Sequence, residues 1–153
     1  MKAVIMAGGE GTRLRPLTVS QPKPMLPMAN RPMMEHVVAL LRRHGFEEIV
    51  VTVAFMASTI RSYFGDGSEF GVQIRYATEQ TPLGTAGSVA NARELLDEPF
   101  VVISGDVLTD IDVGAVVEHH RRQGVLATLA LKAVEDLLQH YHAVQHIYGR
   151  SDV

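Results

Sequence analysis

Met6-Ala7-Gly8-Gly9-Glu10-Gly11-Thr12-Arg13-Leu14-Arg15-Pro16-Leu17-Thr18, with Pro22-Lys23-Pro24-Met25 close behind it, is the stretch on which the reading of this chain turns. It starts where a short apolar run, Ala3 to Met6, ends. Gly8, Gly9 and Gly11 leave the main chain nearly bare of side chains. Glycine tolerates positive φ and lets another group approach the backbone closely. Successive N–H groups in such a loop can turn toward an anion. Arg13 and Lys23 bring a guanidinium and an ammonium to the same end of the chain. A donor-rich loop with two cations is suited to a polyphosphate. Two look-alikes are excluded. No Gly-Lys-Ser/Thr closes the glycine run, so it is not a Walker A loop. The third glycine of the dinucleotide fingerprint is missing as well.

Outward from this stretch, apolar strand-like runs alternate with helical patterns. Lys2–Met6 reads as a buried strand. Over 32–44, Met33, Met34, Val37, Val38, Leu40 and Leu41 recur at helical spacing, with Asn30 as a candidate cap and Gly45 as the stop. Glu48–Ala54 is β-branched and strand-like. Ser58–Phe64 reads as a short helix ended by Gly65-Asp66-Gly67. Val72–Ala77 reads as a strand, Thr85–Leu96 as a helix, Phe100–Ser104 as a buried strand, Val113–Gln123 as a helix and Val125–Lys132 as a strand. This βαβα order predicts an α/β fold with a mostly parallel sheet and helices on both faces. Ligands of such sheets bind beyond the carboxyl ends of the strands. The loops 7–13, 79–87 and 105–110 all follow strands, so they are expected to meet at one sheet edge.

The chain has 153 residues, a length that predicts one domain with a single core. Its 46% hydrophobic and 20% charged content is ordinary for a soluble globular protein. The net charge of −3 gives no basic footprint for nucleic acid. With no cysteine there are no disulfides or thiolate zinc sites, which fits a reducing, cytoplasmic compartment. No apolar run reaches membrane-spanning length, and the N-terminus lacks the apolar core of a signal peptide.

The two-part run of the opening stretch resembles the signature of the sugar-1-phosphate nucleotidylyltransferases, G-x-G-T-R-x-x-P-L-T followed by P-K-P-M. Glu79-Gln80-Thr81-Pro82-Leu83-Gly84-Thr85-Ala86-Gly87 resembles the family's E-x-x-P-L-G-T-A-G segment, which lies against the nucleotide base. With Gly105-Asp106-Val107-Leu108 after it, the chain looks most like mannose-1-phosphate guanylyltransferases. Glucose-1-phosphate thymidylyl- and uridylyltransferases are close competitors. The resemblance implies a Rossmann-like three-layer sandwich of the nucleotide-diphospho-sugar transferase type. The implied reaction joins an NTP and a sugar 1-phosphate into an NDP-sugar and pyrophosphate.

Carried over residue by residue, the resemblance assigns Ala7, Gly8, Gly9, Gly11 and Thr12 to the phosphate cradle. It assigns Glu79, Gly84 and Thr85 to the base side. Arg13 stabilises charge on the transferring and departing phosphates, and Lys23 orients the α-phosphate and the incoming phosphate. Asp106 holds Mg²⁺, a role that suits a hard oxygen ligand just beyond a strand. Guanine presents two adjacent donors and a carboxylate only accepts, so Glu79 leans toward GTP, with neighbouring Gln80 as the alternative.

Asp110-Ile-Asp112 has the D-x-D form of a metal motif. Its position favours a simpler reading, in which Asp112 caps the following helix. His119 and His120 near a helix end, and His140, His142 and His146 further on, read as solvated helical positions rather than as a metal site.

The resemblance covers residues 1–136. The family's later strands, its Glu-Lys-Pro sugar segment and its second metal-binding Asp have no counterpart here. Residues 137–153 read as a non-family tail with a helical apolar stripe through Leu137, Leu138, Tyr141, Val144 and Tyr148. The chain is thus expected to be a C-terminally truncated version of the fold: a fragment, a frameshifted product or a short variant. A non-catalytic nucleotide-binding remnant is the alternative function. Exposed core edges predict self-association.

Overall fold

The computed structural model describes residues 1–81 and 83–131. Two compact units follow one another along the chain, 1–113 and 114–153.

The first unit is built on four parallel strands, β1 (Lys2–Ala7), β4 (Glu48–Val53), β5 (Gln73–Thr78) and β6 (Phe100–Ser104), in the order β5-β4-β1-β6. A two-stranded hairpin, β2 (Pro27–Met28) and β3 (Arg31–Pro32), lies between β1 and the first helix. The helices are α1 (Met33–Arg43), α2 (Ala57–Phe64) and α3 (Gly84–Asn91), followed at the unit boundary by α4 (Val113–Gln123). Ile5 of β1 pairs with Val51 on one side and Ile103 on the other.

Ala3, Val4 and Ile5 are completely buried, so the central strand is covered on both faces. Val4, Val50 and Ala77 share one face, where Ala92, Val89, Leu95 and Leu96 of α3 and the turn after it pack on them. Ile5, Ile49, Val51 and Val53 point the opposite way and are buried too, and α1 and α2 carry matching buried stripes through Met34, Val37, Val38, Leu41, Ile60 and Phe64. The expected mostly parallel α/β sheet is therefore observed. From β1 the chain runs outward through β4 to β5, then returns to the far side of β1 for β6. That reversal places a crevice beyond the carboxyl ends of β1 and β6.

The structure corrects four local expectations. Asn30 does not cap α1. It occupies the turn of the β2–β3 hairpin with Ala29, at φ 64° and 50°, and Pro32 precedes the helix with no side-chain cap. Two left-handed residues in a two-residue loop match the twist of a hairpin, and Asn tolerates that conformation. The helix expected over 85–96 spans Gly84–Asn91 and gives way to a tight 3₁₀ turn, Arg93–Leu95. Asn91 turns its amide to the Thr78 carbonyl (3.2 Å), a side-chain bond that competes with helix continuation. The strand expected at Val72–Ala77 is shifted by one residue. Val125–Leu131 is not a strand. A strand exists only with a partner for its backbone groups, and Leu126, Leu129 and Leu131 are largely exposed instead.

Gly45 does stop α1. At φ 80° its N–H bonds the Arg42 carbonyl and the next N–H, of buried Phe46, bonds that of Leu41, a Schellman ending. The tail proposed over 137–153, with His140, His142 and His146, lies outside the described residues. Among the described residues no helix is long and apolar enough to cross a membrane.

Candidate functional site

Beyond β1, each glycine of the loop has a distinct surrounding. A Cβ on Gly8 would lie 3.0 Å from Glu79 Oε1 and 3.5 Å from Ala54 Cβ, so only glycine lets that carboxylate reach the main chain. Gly9 faces open space. Gly11 has φ 62°, and a Cβ there would press at 3.0 Å on both Lys23 Cβ and Thr18 Cγ2. Its carbonyl accepts the Leu14 N–H (2.9 Å) and the Thr18 hydroxyl (2.8 Å), which fastens the loop around a single 3₁₀ turn, Thr12–Leu14. Ala7 is buried at the end of β1, whereas Thr12 and Arg13 are exposed.

Lys23 opens a second 3₁₀ turn, Lys23–Met25, anchored by buried Pro24 and Met25. Its Nζ lies 2.7 Å from Asp106 Oδ2, joining positions distant in the chain. Asp106 follows Gly105, whose N–H bonds the Met6 carbonyl at 2.9 Å. A Cβ on Gly105 would sit 2.9 Å from Ile5 Cγ2, so this glycine lets the end of β6 close onto β1. The Ser104 hydroxyl donates to the other oxygen of Asp106. Burial pushes the Asp106 carboxyl up, but the hydrogen bonds from Lys23 and Ser104 and the Lys23 charge outweigh it, leaving the carboxyl below the usual aspartate value.

Glu79 follows β5 and is 7% exposed, while Gln80 beside it is exposed. The Glu79 N–H bonds the Val53 carbonyl at 2.8 Å, extending the β4–β5 ladder by one residue. Its Oε1 is buried and, among the described residues, accepts no hydrogen bond. A buried acceptor without a donor is costly, so this oxygen marks a place for a donor. Thr78 just before it is held by Arg61 Nη2 (2.6 Å) and by the Asn91 amide. Gly84, at φ 68° with open space around its Cβ position, begins α3, and Ser88 Oγ donates to its carbonyl at 2.8 Å. Thr85 is exposed.

The structure thus brings Gly8 against Glu79, and Gly11 and Asp106 against Lys23. Arg13 stands apart: among the described residues it forms no ion pair, while Arg15 lies 4.0 Å from Glu10. Asp110 is exposed, and Asp112, directly before α4, lies 3.5 Å from His44 Nδ1. No group of three or more His, Asp or Glu side chains fit to hold a metal occurs among the described residues. His36 Nε2 sits 2.9 Å from the Met28 carbonyl and His120 Nδ1 2.9 Å from Thr128 Oγ1, each with a local partner. Sequence reasoning did not single out Ser104 or Thr18. Thr18 closes the opening stretch and Ser104 ends a predicted strand, but nothing in the sequence shows which hydroxyl turns inward.

A protein-family model described as nucleotidyl transferase matches residues 2–141. A UTP–glucose-1-phosphate uridylyltransferase from Synechocystis is 43% identical over 94% of this chain and 40% of its own length. A mannose-1-phosphate guanylyltransferase from Mycobacterium tuberculosis is 42% identical over 88% of this chain and 38% of its own. The chain therefore spans about two fifths of the length of these curated relatives. Among solved structures, a putative glucose-1-phosphate thymidylyltransferase from Bacillus anthracis superposes with a TM-score of 0.74 at 32% identity, covering 80% of this chain and 51% of that one. HddC from Yersinia pseudotuberculosis, complexed with GMP-PN, gives 0.70 at 28% identity over 78% of this chain and 53% of its own. The family match runs from the first residue of β1 past the last described position, and the chain belongs to the nucleotidyl transferase family.

Proposed function

We propose that the protein transfers a nucleotidyl group from an NTP to a sugar 1-phosphate, with GTP and mannose 1-phosphate as the preferred pair. A phosphate oxygen of the sugar forms a bond to the α-phosphorus. The bond from that phosphorus to the bridging oxygen breaks, and pyrophosphate leaves with the electron pair. The attacking oxygen is already anionic near neutral pH, so positioning and charge neutralisation supply the catalysis. Ala7, Gly8, Gly9, Gly11 and Thr12 cradle the phosphates. Arg13 stabilises charge on the moving and departing phosphates, and Lys23 orients the α-phosphate and the nucleophile. Gly84 and Thr85 flank the base.

The observation that carries the guanine preference is the unpartnered Oε1 of Glu79 beside Gly8. A buried acceptor there suits the adjacent N1–H and N2 amino donors of guanine. Asp106 fits a Mg²⁺ ion: it is held ionised, and each carboxylate oxygen keeps a lone pair beyond the one given to Ser104 or Lys23. Mg²⁺ takes one or two carboxylates with substrate phosphates and water, and when bound it would neutralise charge on the nucleotide. Residues 1–136 form the nucleotide-binding part in this reading and 137–153 a separate tail, with the reaction placed in the cytoplasm.

A pyrimidine nucleotide with glucose 1-phosphate is the second reading, favoured by the names of the Synechocystis and Bacillus relatives. Nucleotide binding without turnover is the third. A pyrophosphate-release assay crossing the four NTPs with mannose and glucose 1-phosphates, with and without Mg²⁺, separates them. GTP-plus-mannose selectivity supports the first reading, UTP or dTTP with glucose the second, and binding without release the third. Arg13→Ala is expected to lower turnover more than about tenfold while the circular dichroism spectrum stays that of the parent. Near-parental turnover removes Arg13 from the mechanism.

A further inference from the structure

Thr18 is 1% exposed although it carries a hydroxyl and lies between two exposed residues, Leu17 and Val19. Its hydroxyl donates to the Gly11 carbonyl at 2.8 Å, and the Leu14 N–H reaches the same oxygen at 2.9 Å. The two donors occupy both lone pairs of that carbonyl. In a planar trans peptide the C=O and the following N–H point in opposite directions. Fixing the Gly11 oxygen on the Thr18 side therefore turns the Thr12 N–H to the other side, away from buried Thr18. Among the described residues no backbone acceptor takes the N–H of Gly9, Glu10, Gly11 or Thr12. The Thr18 methyl leaves no room for a side chain at position 11, since it lies 3.0 Å from where a Cβ on Gly11 would be.

We propose that Thr18 is a positioning residue for the phosphate loop: its hydroxyl, by fastening the Gly11 carbonyl, aims the Thr12 amide at the polyphosphate. The inference rests on the phosphate-binding reading of this loop. Thr18 touches no substrate atom and acts through one peptide plane. The preorganised amide donates to the anion without first reorienting, which is where such a donor gains its effect. Its loss leaves the Leu14 N–H as the remaining anchor of that carbonyl, and part of the binding free energy is then spent on holding the loosened peptide in place.

The test is calorimetric titration with inorganic tripolyphosphate in metal-free buffer. Thr18→Val keeps the shape and removes the donor, and it is expected to weaken binding about tenfold. Thr18→Ser keeps the donor and is expected to bind within about twofold of the parent, although its lost methyl lowers the melting temperature more. If the Val variant does not fold, Thr18→Cys, a weak donor of similar size, replaces it with a loss between the two. Parental affinity in folded Thr18→Val or Thr18→Cys overturns the inference. So does an equal loss in Thr18→Ser, which would assign the effect to packing. A parent protein that takes up no tripolyphosphate overturns the phosphate-loop reading itself, and this inference with it.

Discussion

At the scale of single residues, Glu79 and Gly8 form one device. The carboxylate reaches the backbone because position 8 has no side chain, with 3.0 Å between its Oε1 and the missing Cβ. Gly8→Ala is therefore expected to displace Glu79 and to blur base selection without abolishing triphosphate binding. Competition binding of GTP against UTP checks this. Glu79→Gln keeps one acceptor oxygen and replaces the other with an amide donor, and its GTP-to-UTP preference is expected to fall about tenfold. An unchanged ratio in both variants would assign base reading to other residues. The choice between Glu79 and Gln80 was not legible in the sequence, because one step along an extended chain reverses the side chain and no pattern fixes the register at a strand end. The ladder bond from the Glu79 N–H to Val53 carries β5 one residue further, which leaves Glu79 buried and Gln80 exposed. By contrast, the meeting of loops 7–13 and 79–87, seen in Gly8 against Glu79, could be read directly, since loops that follow parallel strands emerge together.

At the scale of elements, the turn after α2 is tightly constrained. Gly67 has φ 87°, and a Cβ there would lie 2.8 Å from the Val72 carbonyl oxygen and 3.0 Å from the Ile74 nitrogen. Backbone atoms cannot step aside as a flexible side chain can, so Gly67→Ala is expected to cost about 2 kcal/mol or more in a denaturant melt. In the same turn, the Ser68 hydroxyl and N–H both donate to Asp66 Oδ1, at 2.7 and 3.0 Å. Those bonds hold the Asp66 carboxyl below its ordinary value of 3.8. A lowered folded-state pKa stabilises the fold above the unfolded value, and that contribution is lost as the pH falls from 3.8 through the lowered pKa. Ser68→Ala is expected to move the Asp66 titration back toward its ordinary value, as followed by NMR, and to flatten the acid limb of stability. The long elements were legible because β-branched runs and helical stripes are several residues deep. The hairpin was not, since each of its strands is two residues long and contains a proline. Val125–Leu131 shows the limit of an apolar run: it reports what a strand would bury, not whether a partner exists.

At the scale of the whole molecule, the sheet ends in β6, whose Phe100 and Val102 remain 39% and 41% exposed. Among the described residues no strand pairs with its outer side. A partly apolar edge of this kind favours association. The sedimentation coefficient is expected to rise with concentration, and Val102→Lys is expected to suppress that rise. A parent protein that sediments as a monomer at every concentration would refute the expectation. The ion pair between Lys23 and Asp106 carries a consequence for the charge balance of the entire protein. The net charge is −3, and the Lys23 ammonium that the proposed function offers to a polyphosphate is already engaged by Asp106. Under the proposed function, binding is an exchange of partners. An arriving phosphate that draws the ammonium away leaves a carboxylate free for a divalent ion, and the ion, arriving first, liberates the ammonium. Each ligand does part of the other's work, and Lys23→Met is expected to bind Mn²⁺ alone severalfold more tightly than the parent.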